Sequence, residues 1–456
     1  MGRARLAAVG ALIVAALILQ VAALLTAVGT ASAAPTFADE QAFPGTGAYW
    51  EPTVAVDPSS SYVYQAVTYI NASKTCSGCP VTAIFVRASP DGGLTWGAAH
   101  PIYLAGGKGW QYDPQLQVSA DGTVYAVFLQ KYDPGSVLFR STDHGTTWSG
   151  PFTMNGALPY NDKPILEISP DGKDVYVAFN VKTASYLAVS HDYGATFTQM
   201  QTSNESLWWY TYGGAYDSSD GSAYFAQVGE SGKITNSGSN AITNKAQILG
   251  PQKIFVLRVD HAGTSWTNTF VDSSAAPTPC AISKCYGDYF AAQASVAVDP
   301  MGTLLFAYTA NGVDGAAKAL YVRSSSDGVH WGGRAVVNGF GDSNFPAVAG
   351  GLTAGDFRLA WQDNRNNACW NCGGLGDWNT WYTRTTDGGA TWIPAVRLSN
   401  LGAGAPYKTP QGYAFPDGDY FGLAVNPKTG TNYLIWGEAD GSSIYCCGGA
   451  WYTSGL

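Results

Sequence analysis

SPDGGLTW occupies residues 89–96, and STDHGTTW occupies residues 141–148. The two octapeptides share Ser, Asp, Gly, Thr and Trp at one spacing. The pattern returns as SHDYGATF (190–197) and TTDGGATW (385–392). Two degenerate copies lie between them, RVDHAGTSW (258–266) with one extra residue and SSSDGVHW (324–331) with one too few. Asp91, Asp143, Asp192, Asp260, Asp327 and Asp387 hold the shared position. Within each copy the Asp is expected to accept backbone N–H groups across its own turn. Gly93 supplies a conformation that other residues resist, and Trp96 packs between strands.

A second repeat precedes each octapeptide. It reads VAVDPSSSYVY, LQVSADGTVY, LEISPDGKDVY, GAYDSSDGSAY, VAVDPMGTLLF, VAGGLTAGDFRL and LAVNPKTGTNY. Each is a short apolar strand, a turn of Gly, Asp, Pro or Ser, then a second strand, which is the signature of a hairpin. The copies recur every ~50–70 residues, the length of a four-stranded propeller blade or slightly more. The spacing predicts an all-β propeller in which the octapeptide joins the third and fourth strands of each blade. Seven hairpins give seven blades; six would follow if one hairpin were an excursion. The seventh hairpin begins near Asp419, and only AWYTSGL remains before Leu456. Its fourth strand must come from elsewhere, and PTFADEQAF near the N-terminus is free to supply it and close the ring. The fourth unit is interrupted by GKITNSGSNAITNKAQILGPQ.

Composition agrees with this reading. Charged residues are 12%, aromatics 13%, and there are 55 glycines. That is too apolar and aromatic for disorder. The net charge is −9 with no basic tract beyond the N-terminus, which excludes nucleic acid as a partner. The first residues, MGRARLAAVGALIVAALILQVAALLTAVGTASA, combine a basic start, an apolar run and the A-x-A pattern Ala31-Ser32-Ala33. Residues 1–33 therefore read as a secretory signal, or as a membrane anchor if uncleaved, and residues 35–456 as one propeller domain. The expected location is extracellular or cell-surface. Eight cysteines fit an oxidising compartment, in four local pairs: Cys76/Cys79, Cys280/Cys285, Cys369/Cys372 and Cys446/Cys447. Asn71 and Asn204 lie in glycosylation sequons.

S-x-D-x-G-x-T-W is the Asp box, or BNR repeat, and through it the chain resembles the sialidase-like propeller superfamily over nearly its whole length beyond the signal. WQDNRNN (361–367) and GDYFGLAVNP (418–427) are also similar to secreted proteins described as sialidase-like. The resemblance implies a glycan-directed activity, a glycoside hydrolase of exo-α-sialidase type if the chain is an enzyme. Sialidases hold the substrate carboxylate with three arginines, one from an Arg-Ile-Pro motif opening the first inner strand. This chain departs from that pattern. Its strand starts read YWEPTVAV and YDPQLQV, placing Glu51 and Asp113 where a cation would be needed. Only nine arginines follow the signal. Most adjoin Asp boxes on the face opposite the expected site, and only Arg365 is expected at the top.

The starts of the inner strands line the top of the funnel. The candidates there are Glu51, Asp113, Asp162, Asp288 and Asp419 as carboxylates, Asn344, and Tyr210 or Tyr212 in the fourth blade. Converging carboxylates can divide acid and base roles in glycoside hydrolysis, bind a structural Ca²⁺, or cap their own strand starts. The neighbouring loops offer Asp363, Glu230, Glu438, Arg365, Trp370, Trp378 and Trp381 as sugar-contacting groups, the tryptophans alternatively packing between blades. The five histidines sit in or near Asp boxes or fourth strands, which argues against imidazole-based catalysis. Two functions remain open: a glycan-active enzyme, and a non-catalytic propeller binding glycans or proteins.

Overall fold

The computed structural model describes residues 35–44, 48–131, 135–158, 161–181, 183–236, 245–248, 250–277, 291–365, 378–399, 408–409, 412–413, 421–439 and 448–456. Chain contacts divide the protein at Pro35, and Thr36–Leu456 forms the propeller unit. No helix among the described residues is long and apolar enough to cross a membrane.

Seven four-stranded antiparallel sheets make up the seven blades. Their inner strands are Ala48–Val56, Gln111–Val118, Asp162–Ile168, Trp208–Tyr216, Ala294–Val298, Ser343–Gly350 and Phe421–Val425. The second blade shows the pattern: Gln111–Val118, Val124–Gln130, Gly135–Ser141 and Ser149–Thr153 follow one another from axis to rim. Six blades run through the chain in order. The fourth carries an additional hairpin, Lys233–Asn236 with Lys245–Ile248, between its second and third strands. This hairpin is the interruption seen in the sequence.

Alternation along the strands builds the core between blades. Every residue of the second strand VYAVFLQ is buried. Val124, Ala126 and Phe128 pack with Tyr64, Ala66 and Ile84 of the first blade. Tyr125 and Val127 point the other way, to Leu166, Val175 and Val177 of the third. A strand buried on both faces is apolar at nearly every position, which is why these strands read as almost continuous runs. The last of these layers joins Tyr433, Ile435 and Tyr452 of the seventh blade to Val54, Val63 and Val67 of the first, closing the ring.

The seventh blade is completed from the N-terminus. Its strands Phe421–Val425, Asn432–Ala439 and Gly448–Gly455 are followed at the rim by Gln41–Ala42, in the register Gln41↔Tyr452 and Ala42↔Trp451. Phe37 bridges Gly455 further along.

The octapeptides are the turns between third and outer strands. Thr147 donates its backbone N–H to Asp143 Oδ1 (2.8 Å) and its hydroxyl to Oδ2 (2.6 Å), while Ser141 Oγ bonds Oδ1 (2.8 Å). Asp91, Asp192 and Asp387 repeat this arrangement. The Thr147 hydroxyl and then its N–H hold the Asp143 carboxyl down at about 2. In the degenerate copy at Asp327, His330 takes the threonine's place, its ring Nδ1 lying 2.7 Å from Oδ2. Trp96 lies against the Arg87 guanidinium, which also faces Phe43 and Tyr452. The repeat is therefore structural in each copy and marks the face opposite the strand starts.

Candidate functional site at the mouth of the central channel

Four inner strands begin with the same irregularity. The register slips between Trp50 and Thr53, Tyr112 and Gln115, Asp162 and Ile165, and Asn344 and Ala347. In each the residue before the proline is left-handed: Glu51, Asp113, Lys163 and Phe345 have φ of 52°, 59°, 48° and 51°. Such conformations are strained for residues other than glycine and persist only where surrounding contacts hold them. By this register Lys163, and not Asp162, is the counterpart of Glu51 and Asp113. Asp162 lies one position earlier, beside Trp50 and Tyr112 in the alignment of blades.

The contacts that hold the bulges cross between blades. The Asp113 N–H donates to Glu51 Oε2 (2.9 Å), which also accepts the Thr68 hydroxyl (2.7 Å). The Phe345 N–H donates to Gln293 Oε1 (2.6 Å) in the same way, from sixth blade to fifth. Glu51 is thus a strut that fixes the second blade against the first. Burial pushes its carboxyl above the ordinary range, opposed by the Asp113 N–H, the Lys163 charge and Thr68, and reinforced by the charge of Asp162.

Around this strut the first four blades assemble a mixed rim. Trp50 stacks near Tyr112 (centroids 6.3 Å apart), and Trp110 lies 5.3 Å from the same ring. Lys163 Nζ is 5.8 Å from the ring centre of Tyr210. Tyr112, Trp110, Asp162 and Lys163 are partly exposed, whereas Glu51, Asp113 and Tyr210 are buried. The structure therefore brings together Glu51, Asp113, Asp162 and Tyr210 of the sequence candidates. It adds Tyr112, Trp110 and Lys163, which the search for carboxylates passed over.

The remaining candidates stand apart from this cluster. Asp363 is fully buried and accepts Arg365 (Nη2 2.6 Å, Nε 2.9 Å), Trp361 Nε1 (2.7 Å) and Asn338 Nδ2 (3.0 Å). Arg365 also stacks on Trp381 at 3.8 Å, so its charge is matched within its own blade. Trp378 is buried. Cys76 and Cys79 form a disulfide with Cα atoms 5.4 Å apart. Asp288, Asp419, Trp370, Cys280, Cys285, Cys369, Cys372, Cys446 and Cys447 lie outside the described residues, as does the side chain of Glu438.

Below the rim runs a central channel of about 140 Å³, lined by inner strands of all seven blades. Its polar groups include Thr53, Gln115, Gln117, Glu167, Gln293 and Ser295. Glu167 is a channel-lining carboxyl that the sequence reading did not single out. It is 8% exposed, and burial alone raises its carboxyl to about 8. A signal was present: Glu167 is the next-to-last residue of its inner strand, where Ala55, Ala215, Ala297, Ala349 and Ala424 stand in five other blades. None of the nine arginines lines the channel. Arg87 bonds Gln65, Arg258 pairs with Asp220, Arg323 with Asp272, and Arg358 and Arg384 with Asp356.

No protein-family model matches the sequence, and no curated protein matches it. Solved structures of similar shape include a leech intramolecular trans-sialidase (13% identity, 90% of this chain and 68% of that one, TM-score 0.44). The phage phi92 endosialidase (10% identity, 92% and 68%, TM-score 0.49) is another. So is YCF48 bound to a D1 peptide (13% identity, 91% and 95%, TM-score 0.43). The seven four-stranded blades and their Asp-box turns, taken by themselves, make the fold a sialidase-like β-propeller.

Proposed function

We propose that this chain is an extracytoplasmic propeller, exported by its N-terminal segment, that binds glycans at the mouth of its channel without sialidase turnover. One observation carries the reading: the rim sets Trp110 and Tyr112 beside Glu51, Asp113, Asp162 and Lys163, with every arginine elsewhere. Aromatic faces stack on the apolar face of a sugar ring, and carboxylates accept its hydroxyls. The excess of carboxylates repels a sialic acid carboxylate and favours neutral or amine-bearing sugars. Glu51 is engaged by Thr68 and the Asp113 N–H, which suits a brace better than an acid that must release and recover a proton.

Glycan-array binding paired with aryl-glycoside hydrolysis tests this. Binding of neutral or amino sugars is expected without turnover. Tyr112→Ala or Trp110→Ala should weaken binding by about tenfold, the loss of ~1.4 kcal/mol. Hydrolysis that disappears in Asp162→Asn with the fold intact would replace the binding reading with an enzymatic one. Absence of any glycan binding would overturn both.

A further inference from the structure

Glu167 is the one carboxyl group among the described residues of the channel wall, and nothing in the glycan reading uses it. Its carboxyl makes no hydrogen bond or ion pair with any described residue. It lies against the channel at Gly214, where a Cβ would stand 2.7 Å from Oε1, and a Cβ at the adjoining Gly213 would stand 2.9 Å from Ser295 Oγ. The glycine pair leaves room for both oxygens at the wall. A buried carboxyl without a partner is costly and calls for a ligand that supplies one.

The strands around it supply further oxygens. Each inner strand is the terminal strand of its sheet, so its inward edge has no ladder partner and turns backbone groups towards the axis. Several inward N–H groups are already met from the neighbouring blade: Asp113 by Glu51, Phe345 by Gln293, and Val348 by Ser295 Oγ (3.3 Å). The backbone carbonyls of the same edges face the axis, together with the amides of Gln115 and Gln117 and the hydroxyl of Thr53. Among the described residues no His, Cys or Met lines the channel, and no group of three or more His, Cys, Asp or Glu suited to a metal occurs.

We propose that the central channel binds one calcium ion, with Glu167 as its single anionic ligand and neutral oxygens of the inner strands completing the shell. Hard oxygen donors without nitrogen or sulfur select a hard cation, and a flexible ring of carbonyls suits Ca²⁺ better than Mg²⁺, which demands strict octahedral geometry. A space of about 140 Å³ holds the ion with a few waters, each of which takes ~30 Å³. Calcium must displace the proton from Glu167, so affinity rises with pH.

The test is titration calorimetry of the EDTA-treated chain with CaCl₂. Calcium binding is expected. Glu167→Gln should weaken it at least tenfold, while Asp162→Asn at the mouth leaves it intact. The proposal is overturned by no binding up to about 10 mM or by equal binding in Glu167→Gln. Magnesium binding as tightly as calcium would overturn the choice of ion. Glycan binding is read separately in these variants, so loss of either property does not decide the other.

Discussion

Without metal, Glu167→Gln is expected to be more stable than the parent chain at neutral and alkaline pH, and the difference should vanish under acid. The folded chain keeps the Glu167 proton up to about 8, whereas the unfolded chain gives it up near 4.5. Between these values unfolding releases a proton, so rising pH favours the unfolded state. The stability tied to this proton is fully present below about pH 4.5 and is lost progressively as pH climbs through 8. One pKa unit corresponds to 1.36 kcal/mol, so the neutral amide should gain roughly 3 kcal/mol at pH 7 and somewhat more at pH 8.5. Gln keeps the shape of the side chain and removes the charge, leaving packing against Gly214 unchanged. Urea unfolding of both chains in EDTA at pH 5, 7 and 8.5 measures the difference directly. Parallel pH profiles for the two would show that Glu167 ionises in the folded state as it does in water. Saturating calcium should narrow the gap at pH 8.5, because the ion stabilises only the chain that can bind it.

The fold was legible because its determinants are local and repeated. Ser141, Asp143, Gly145 and Thr147 satisfy one another within a single turn, so their spacing survives intact in the sequence. The runs VYAVFLQ and VYVAFNV announce strands buried on both faces. Even the closing strand could be inferred, since seven hairpins with six octapeptides leave one rim position to fill. The site was less legible because it is assembled across blades. That Glu51 accepts the Asp113 N–H depends on a left-handed residue 62 positions away. In DKP it is Lys163 that precedes the proline, so Lys163 occupies the place expected for Asp162, and the predicted ring of acids acquires a cation. Glu167 escaped notice for a different reason: a lone glutamate in PILEIS looks like an ordinary exposed position of an alternating strand. Only the register across blades reveals that it stands where five other blades carry alanine.

Removing the closing segment, residues 36–43, is expected to cost most of the stability of the propeller. The segment is held by backbone bonds on both sides of the chain ends: Thr36 N–H to Leu456 O (3.1 Å), Leu456 N–H to Thr36 O (3.2 Å), Ala38 N–H to Ser454 O (3.0 Å) and Phe43 N–H to Ala450 O (2.7 Å). The Thr453 hydroxyl donates to Ala38 O (2.6 Å) and the Tyr452 hydroxyl to Gln41 Oε1 (2.5 Å). Gly455 permits this approach, since a Cβ there would collide with Thr36 O and Phe37. Phe43 is 3% exposed, tilted against Tyr49 at 5.1 Å and covered by the Arg87 guanidinium at 4.4 Å. Phe43→Ala alone should cost ~3–5 kcal/mol as a buried aromatic. Deleting the whole segment adds the lost pairing and exposes Gly448–Gly455 as an open edge, which invites aggregation. Against a total stability of about 5–15 kcal/mol, the truncated chain should unfold far below the parent on heating. A synthetic peptide of residues 35–44 should restore part of the loss by pairing with the vacant edge. An unchanged melting temperature after truncation would mean that the layer joining the seventh blade to the first closes the ring without the N-terminal strand.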